Sequence, residues 1–276
     1  MNKSKFPLVS VIITTKNEEK NIKTCLVSIK NQTYQNIEII VVDNNSIDST
    51  KKLASEYTKY VYNKGPERSA QRNFGASKSK GKYLLFLDAD MKASRKVVEE
   101  CVKAIELRDV GGIIIPEESY GVGFWAKCKK LERSYYIDAG GIEAARFYKT
   151  SVFKESKGFD IGMVSGEDWD LSSRIRNVNK LDRIDSFIFH NEGELSLMNT
   201  VKKKYYYATK ISVYLSKNQG KVKSDDQLSI ISRYRLFLSN YKKIIEDPVL
   251  FTGMLFMKSC EFTAGFFGLY FPIKLL

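Results

Sequence analysis

The sequence predicts an α/β fold: a mixed, mostly parallel sheet flanked by helices, followed by a helical C-terminal region. Three observations lead there. Short apolar runs at 8–15, 37–42 and 83–87 end abruptly in polar or acidic residues, as buried strands of a parallel sheet do. The stretches between them place apolar residues at helical spacing. From about Asn199 the strand patterns stop, and basic, aromatic and then apolar helical patterns take over. The expected division is 1–195 for the sheet domain and 196–276 for the helical region.

In chain order, Leu8 to Thr15 reads as a buried strand and is followed by a helix to about Asn31, with Ile22, Cys25, Leu26 and Ile29 on one face. Thr15-x-x-Glu18 fits a capping box, which gives Glu18 a structural role. Ile37 to Val42 is a second strand, ending in Asp43-Asn44-Asn45-Ser46-Ile47-Asp48. An acid so placed resembles the ribose- or base-binding acid of dinucleotide folds. No Gly-x-Gly-x-x-Gly accompanies it, which favours a nucleotide over NAD. The other reading is a polar turn capping the next helix.

Pro66 to Lys78 is expected to be helical, with Arg72 a clamp for a phosphate or for Asp43. Tyr83 to Leu87 is a third strand, closed by Asp88-Ala89-Asp90. Two carboxylates at the carboxyl end of such a strand sit where open α/β sheets bind ligands. They suit a hard divalent cation that holds substrate phosphates; alternatively they end the strand and cap the next helix. A helix over 94–107 and a strand over 111–116 follow. Gly121 to Tyr136 is amphipathic, its stripe of Phe124, Trp125, Cys128 and Leu131 facing either core or lipid. Strands are expected over 142–148 and 181–189.

Between those strands, Ser165-Gly166-Glu167-Asp168-Trp169-Asp170 opens a helix. Acids there suit the helix dipole, and Asp170 has Arg174 at i,i+4. Asp168 is left as the candidate for chemistry. Lys202-Lys203-Lys204-Tyr205-Tyr206-Tyr207 suits either a phosphate-bearing surface or solvent. Arg233 to Ile245 is helical. Asp247-Pro248 starts an apolar stretch to Leu276 that Lys258 and Glu261 interrupt. Its uninterrupted runs are shorter than a spanning helix wants. An interfacial helix is the expectation; a span with a buried Lys258–Glu261 pair and a helix packed on the globular part are the alternatives.

The net charge of +13 suggests an anionic partner. No recognition-helix or RNA-binding motif supports nucleic acid, so an acidic membrane surface is the simpler partner. Four scattered cysteines and a single histidine exclude a zinc site of the usual spacing. Met1 to Pro7 lacks the apolar core of a signal peptide, so the expected location is the cytoplasmic face of the cell membrane, peripheral or monotopic through the C-terminal helices.

Six segments in order resemble family 2 glycosyltransferases of the GT-A fold, over about residues 8 to 195. They are Val9 to Glu18, Val42-Asp43-Asn44-Asn45-Ser46, Arg72-Asn73-x-Gly75, Asp88-Ala89-Asp90, Gly158-Phe159-Asp160 and Gly166-Glu167-Asp168-Trp169-Asp170. The resemblance implies a nucleoside-diphosphate sugar donor, a UDP-sugar ahead of a GDP-sugar, and inverting displacement at the anomeric carbon. It implies that Thr14, Thr15, Glu18 and Asp43 line the nucleoside pocket, with Arg72, Asp88, Ala89 and Trp169 also binding substrate. Asp90, with Asp88 and His190, would hold Mn²⁺ or Mg²⁺, and Asp168 would be the general base. The tail resembles a subgroup acting on membrane-associated acceptors, lipid-linked or glycan. The alternative on the same fold is a non-catalytic module that binds nucleotide sugars or polyanions.

Overall fold

The computed structural model describes residues 6–211, 214–215 and 229–271. Parts of two segments read above, Met1 to Pro7 and the stretch that ends at Leu276, lie outside them. The chain divides into two compact units. The first takes in residues up to 117, 144–161 and 167–191; the second takes in 118–143, 162–166 and 192 onward. The expected break near 195 thus falls close to one boundary, but the second unit also recruits 118–143 and 162–166.

The first unit is built on a seven-stranded sheet. Its strands are β1 (Val9–Thr15), β2 (Ile37–Asp43), β3 (Val61–Asn63), β4 (Tyr83–Asp88), β6 (Gly112–Ile114), β8 (Ala145–Lys149) and β9 (Leu181–Arg183), in the order β3-β2-β1-β4-β8-β6-β9. Only β8 runs against its neighbours. Successive side chains of a strand face opposite layers, and the core follows that rule. Val9, Val11 and Ile13 join Leu85 and Leu87 in one cluster with α1 (Ile22–Lys30) and α4 (Val97–Leu107). Ile12, Val42, Leu84 and Phe86 join the other, with α6 (Thr150–Glu155) and α7 (Glu167–Arg176). Burial on both faces is why these strands read as unbroken apolar runs.

Register then sets the site. Thr14 lies opposite Asp88 and Thr15 opposite Asp43, so three strand ends finish along one edge of the sheet. Helix α3 (Arg68–Lys78) lies over β1 and β2, and Gly75 makes that approach feasible. A Cβ there would collide with the side chain of Ile12 and press on Val42.

The expected strand over 181–189 is two strands, β9 and β10 (Ile188–Glu194). Glu100 on α4 accepts hydrogen bonds from the Ser186 N–H (3.0 Å) and hydroxyl (2.7 Å), drawing the chain out of the main sheet. β10 then pairs antiparallel with β5 (Met91–Ala93), which sets His190 beside Met91. The capping box at Thr15-x-x-Glu18 does not form. Asn17 turns the chain with φ 54°, α1 begins only at Ile22, and Glu18 accepts from Asn21 Nδ2 at 2.7 Å. The polar turn after β2 precedes a further helix, α2 (Thr50–Ser55).

The second unit contains β7 (Glu117–Val122, all but its first residue), α5 (Phe124–Ser134), α8 (Leu197–Lys210), α9 (Ile230–Leu238), α10 (Tyr241–Glu246) and α11 (Pro248–Tyr270). The amphipathic segment is thus a short strand followed by a helix. Its stripe is mostly core: Cys128 is buried with Phe251, Met254 and Met257, and Trp125 and Leu131 pack beside them. The helix expected over 233–245 breaks where Asn240 caps α10.

Helix α11 packs against α8 and α5. Lys258 donates to Glu261 at 2.7 Å and to Glu132 at 2.6 Å, while Lys129 bonds Glu132 at 2.8 Å and Glu261 at 3.1 Å. All but Lys129 are buried. Two cations against two carboxylates leave no charge uncompensated, which is what a buried ionic cluster requires. The interruptions in the apolar stretch are therefore the bolt that fixes α11 to α5, while Phe266, Phe267 and Tyr270 of the same helix stay exposed. No helix among the described residues is long and apolar enough to cross a membrane.

Candidate active site

All the residues singled out in the sequence as site candidates fall in the first unit. Loops at the carboxyl ends of β1 and β2 are knitted together by short polar links. The Asn17 N–H donates to Ser46 Oγ at 2.8 Å, the Glu18 N–H to Thr50 Oγ1 at 2.8 Å, and the Ile47 N–H to Asn17 Oδ1 at 3.0 Å. Asp43 is fully buried and accepts from the Ser46 N–H at 2.7 Å, so it shapes this loop as a polar turn. Thr15 has a buried hydroxyl with no hydrogen-bond partner among the described residues.

At the end of β4 the two acids have different company. Asp88 accepts from the Thr14 hydroxyl at 2.7 Å and from Arg72 Nη2 at 3.0 and 3.2 Å, with Arg146 Nη1 at 4.0 Å. Burial alone would raise the Asp88 carboxyl. The guanidinium groups of Arg72, Arg68 and Arg146, with the Thr14 hydroxyl, outweigh it and hold the carboxyl well below the usual carboxylate range. Ala89 continues the frame, its N–H donating to the Thr14 carbonyl at 3.0 Å. Asp90 instead meets His190: Oδ2 and Nε2 are 2.9 Å apart. Its Oδ1 is buried and has no hydrogen-bond partner among the described residues.

Arg72 therefore clamps Asp88 and not Asp43. Its Nη1 donates to Glu167 Oε1 at 3.2 Å, which makes it a bridge from β4 to the start of α7. Asn73 explains the rest of the motif. Its amide donates to the Phe159 carbonyl at 2.7 Å and accepts from the Phe159 N–H at 2.9 Å, fixing the Gly158-Phe159 turn. The Phe159 ring then lies 5.2 Å from the Arg72 guanidinium carbon. Arg174 ties α7 to the same turn, donating to Asp170 at 2.8 Å and to the Gly158 carbonyl at 2.8 Å.

The three acids at the start of α7 are thereby sorted. Glu167 is buried between Arg72 and Arg68, and Asp170 is paired with Arg174. Burial and the neighbouring Asp168 raise the Glu167 carboxyl despite both arginines. Asp168, half-buried, accepts the Trp169 N–H at 2.9 Å and has no ion-pair partner among the described residues. Sequence reasoning missed Arg146 as a member of this cluster. It pairs with Glu117 through Nε, and burial, which would lower it, is overcome by the Glu117, Asp88 and Asp168 charges, so the guanidinium stays charged.

Among the described residues no three His, Cys, Asp or Glu side chains converge as a metal cage. Asp90 and His190 still form a two-donor set with one buried oxygen unsatisfied. Mg²⁺-type sites commonly use one or two protein ligands and complete the shell with water and substrate phosphates, so the residues present fit such an ion. Asp88, expected among the ligands, has its carboxylate committed to Arg72 and Thr14.

The mostly parallel seven-stranded sheet flanked by helices is that of the GT-A architecture. The model for glycosyl transferase family 2 matches residues 10–156, just over half of the chain, and the chain belongs to that family. Putative glycosyltransferase EpsH of Bacillus subtilis is 37% identical over 90 residues, 30% of this chain and 26% of that protein. Uncharacterized glycosyltransferase MJ1057 of Methanocaldococcus jannaschii is 28% identical over 235 residues, 74% of this chain and 79% of that one. The chain thus matches about a quarter of one relative's length and most of the other's. Among solved structures, the mannosyltransferase PcManGT from Pyrobaculum calidifontis, in complex with GDP-Man and Mn²⁺, superposes with a TM-score of 0.69 at 14% identity. That match covers 98% of this chain and 89% of that one. S. aureus TarS 1-349 with UDP-GlcNAc gives 0.55 at 16% identity, over 95% and 90%. At such identities the likeness is one of fold.

Proposed function

We propose that this chain is an inverting, metal-dependent glycosyltransferase that moves a sugar from a nucleoside-diphosphate sugar to a hydroxyl or phosphate of a membrane-associated, lipid-linked acceptor. The observation that carries this reading is the sorting of acids. Of three carboxylates opening α7, Glu167 and Asp170 are paired with arginines and Asp168 makes no ion pair among the described residues. A general base needs an ionised carboxylate within reach of the proton it takes. Asp168 removes the acceptor proton as the oxygen attacks the anomeric carbon, and single displacement inverts that carbon. Asp90 and His190 would hold Mn²⁺ or Mg²⁺, which when bound offsets the charge gathering on the departing diphosphate. Thr14, Thr15 and Glu18 line the nucleoside pocket beside the turn that Asp43 shapes, Ala89 lies next to the donor, and Trp169 binds substrate beside Asp168. The donors bound by PcManGT and TarS support a GDP- or UDP-sugar.

A thermal-shift panel of UDP, GDP, dTDP and their sugars, with and without Mn²⁺, tests this. A ligand of the folded state at a hundredfold its Kd adds about 2.7 kcal/mol, a rise of roughly 5 °C or more for a chain this size. One nucleotide should produce that rise, and only with Mn²⁺. A metal-independent response to every polyanion would point to the non-catalytic binding module instead.

The same proposal places the enzyme on the cytoplasmic face of the membrane, held peripherally by its C-terminal helices. Phe266, Phe267, Tyr270 and Phe271 lie against one another at the end of α11, with each side chain at least half exposed. Lys202 and Lys203 are exposed on α8. Aromatic rings and lysines are the pair of groups an acidic bilayer takes up. Deleting residues from 249 onward would remove buried Phe251, Met254 and Met257, so substitutions at the rim are the cleaner probe. Phe266→Ser with Phe267→Ser should cut co-sedimentation with anionic vesicles about tenfold. Undiminished co-sedimentation would place the anchor elsewhere.

A further inference from the structure

Arg72 has its guanidinium spread between two carboxylates that are far apart in the chain. One is Asp88, at the end of β4, bound at 3.0 and 3.2 Å; the other is Glu167, the first residue of α7, bound at 3.2 Å. Both acids and Arg72 itself are largely shielded from solvent: the side chains are 4% exposed for Arg72, 4% for Glu167 and 15% for Asp88. Charge-assisted hydrogen bonds in such surroundings are short and directional, and losing one partner strands the other as a buried charge. Phe159 closes one face of the guanidinium, and Asn73, next to Arg72 on α3, holds Phe159 in place. The Arg72 head group is therefore fixed from three sides.

This bridge ends one residue before Asp168. Among the described residues no ion pair clamps Asp168, and its Oδ1 accepts the Trp169 N–H. Helix α7 is tied at its second half by Arg174, which reaches Asp170 and the Gly158 carbonyl. Glu167, its first residue, ties it to Arg72. We propose that Asp88–Arg72–Glu167 is a strut that sets the position of Asp168 relative to the end of β4, and that Glu167 is a positioning residue for sugar transfer. The inference rests on the reading of Asp168 as the base. It also assigns Asp88 a task that does not involve metal: anchoring Arg72, and through it the start of α7. A misplacement of about 1 Å at a reacting group can cost on the order of 10²-fold in rate, so the strut bears on kcat and leaves donor affinity alone.

The experiment compares Glu167→Gln and Glu167→Ala with the unsubstituted full chain, all in a Trp125→Phe background that leaves Trp169 as the sole tryptophan. Circular dichroism and the unfolding midpoint establish that each variant is folded. Glu167→Gln keeps an oxygen for Arg72 and should lower kcat about tenfold. Glu167→Ala should lower it on the order of 10²-fold, with the donor KM unchanged in both. Acrylamide quenching of Trp169, which needs no turnover, should rise in the order unsubstituted, Gln, Ala. A raised donor KM with unchanged kcat would overturn the proposal, as would quenching that is the same in all three. An unsubstituted protein that transfers no sugar would sink the enzymatic reading, while the quenching series would still decide whether the strut holds the start of α7.

Discussion

Asp168→Asn is expected to reduce sugar transfer by about 10³-fold, the middle of the range for a positioned general base, while the protein stays folded and still binds donor. The reasoning is local. Asn keeps the shape of the side chain and the acceptor for the Trp169 N–H, so the first turn of α7 has no reason to move. What disappears is the ability to take a proton. Asp168 is also the acid whose removal leaves no arginine stranded, because Arg72 and Arg68 stay with Glu167 and Arg174 stays with Asp170. The two measurements are turnover with a saturating acceptor and the nucleotide-dependent thermal shift. Turnover near the unsubstituted rate would remove Asp168 from the chemistry. A lost thermal shift would show that its charge serves donor binding.

The contrast with Glu167 is informative about what a sequence can reveal. Glu167 and Asp168 are adjacent and chemically alike, and the family resemblance separates them without showing a physical reason. Their surroundings diverge because Arg72, 95 positions earlier, bonds Glu167. Long-range charge pairs leave no periodicity behind, which is why Arg72 read as a clamp for Asp43 or a phosphate. The same holds for Lys258 and Glu261. In sequence they look like faults in an apolar stretch, but they are partners of Glu132 and Lys129, more than a hundred residues away. By contrast β1, β2 and β4 were legible, because burial on both faces imposes a continuous apolar run. So was the clustering of acids at one sheet edge, since parallel register lines up the strand ends. β7 escaped notice because Glu117–Val122 has neither an apolar run nor alternation, and only Ser119 of its six residues is buried. Asn73 was legible as a motif member but not as a brace; its partners are backbone atoms of a distant turn.

Asp90→Ala should be as damaging as loss of the base, through a different route. Asp90 differs from Asp88 in pairing with no arginine among the described residues. One oxygen meets His190 at 2.9 Å and the other is buried with no partner among the described residues. An unsatisfied buried carboxylate oxygen is costly to keep, and a site that receives a cation together with the donor diphosphate gives it a use. If the cation contributes about 4 kcal/mol of charge stabilisation, its loss corresponds to roughly 10³-fold in rate. The distinguishing readout is binding. Asp90→Ala should abolish the Mn²⁺-dependent part of the nucleotide thermal shift, whereas Asp168→Asn should preserve it. His190→Ala should weaken the same response less, since a carboxylate is a better ligand for a hard cation than an imidazole. Full retention of the Mn²⁺-dependent shift in Asp90→Ala would move the cation away from the Asp90–His190 pair. The acids at the end of β4 would then be structural, with Asp88–Arg72 their principal interaction.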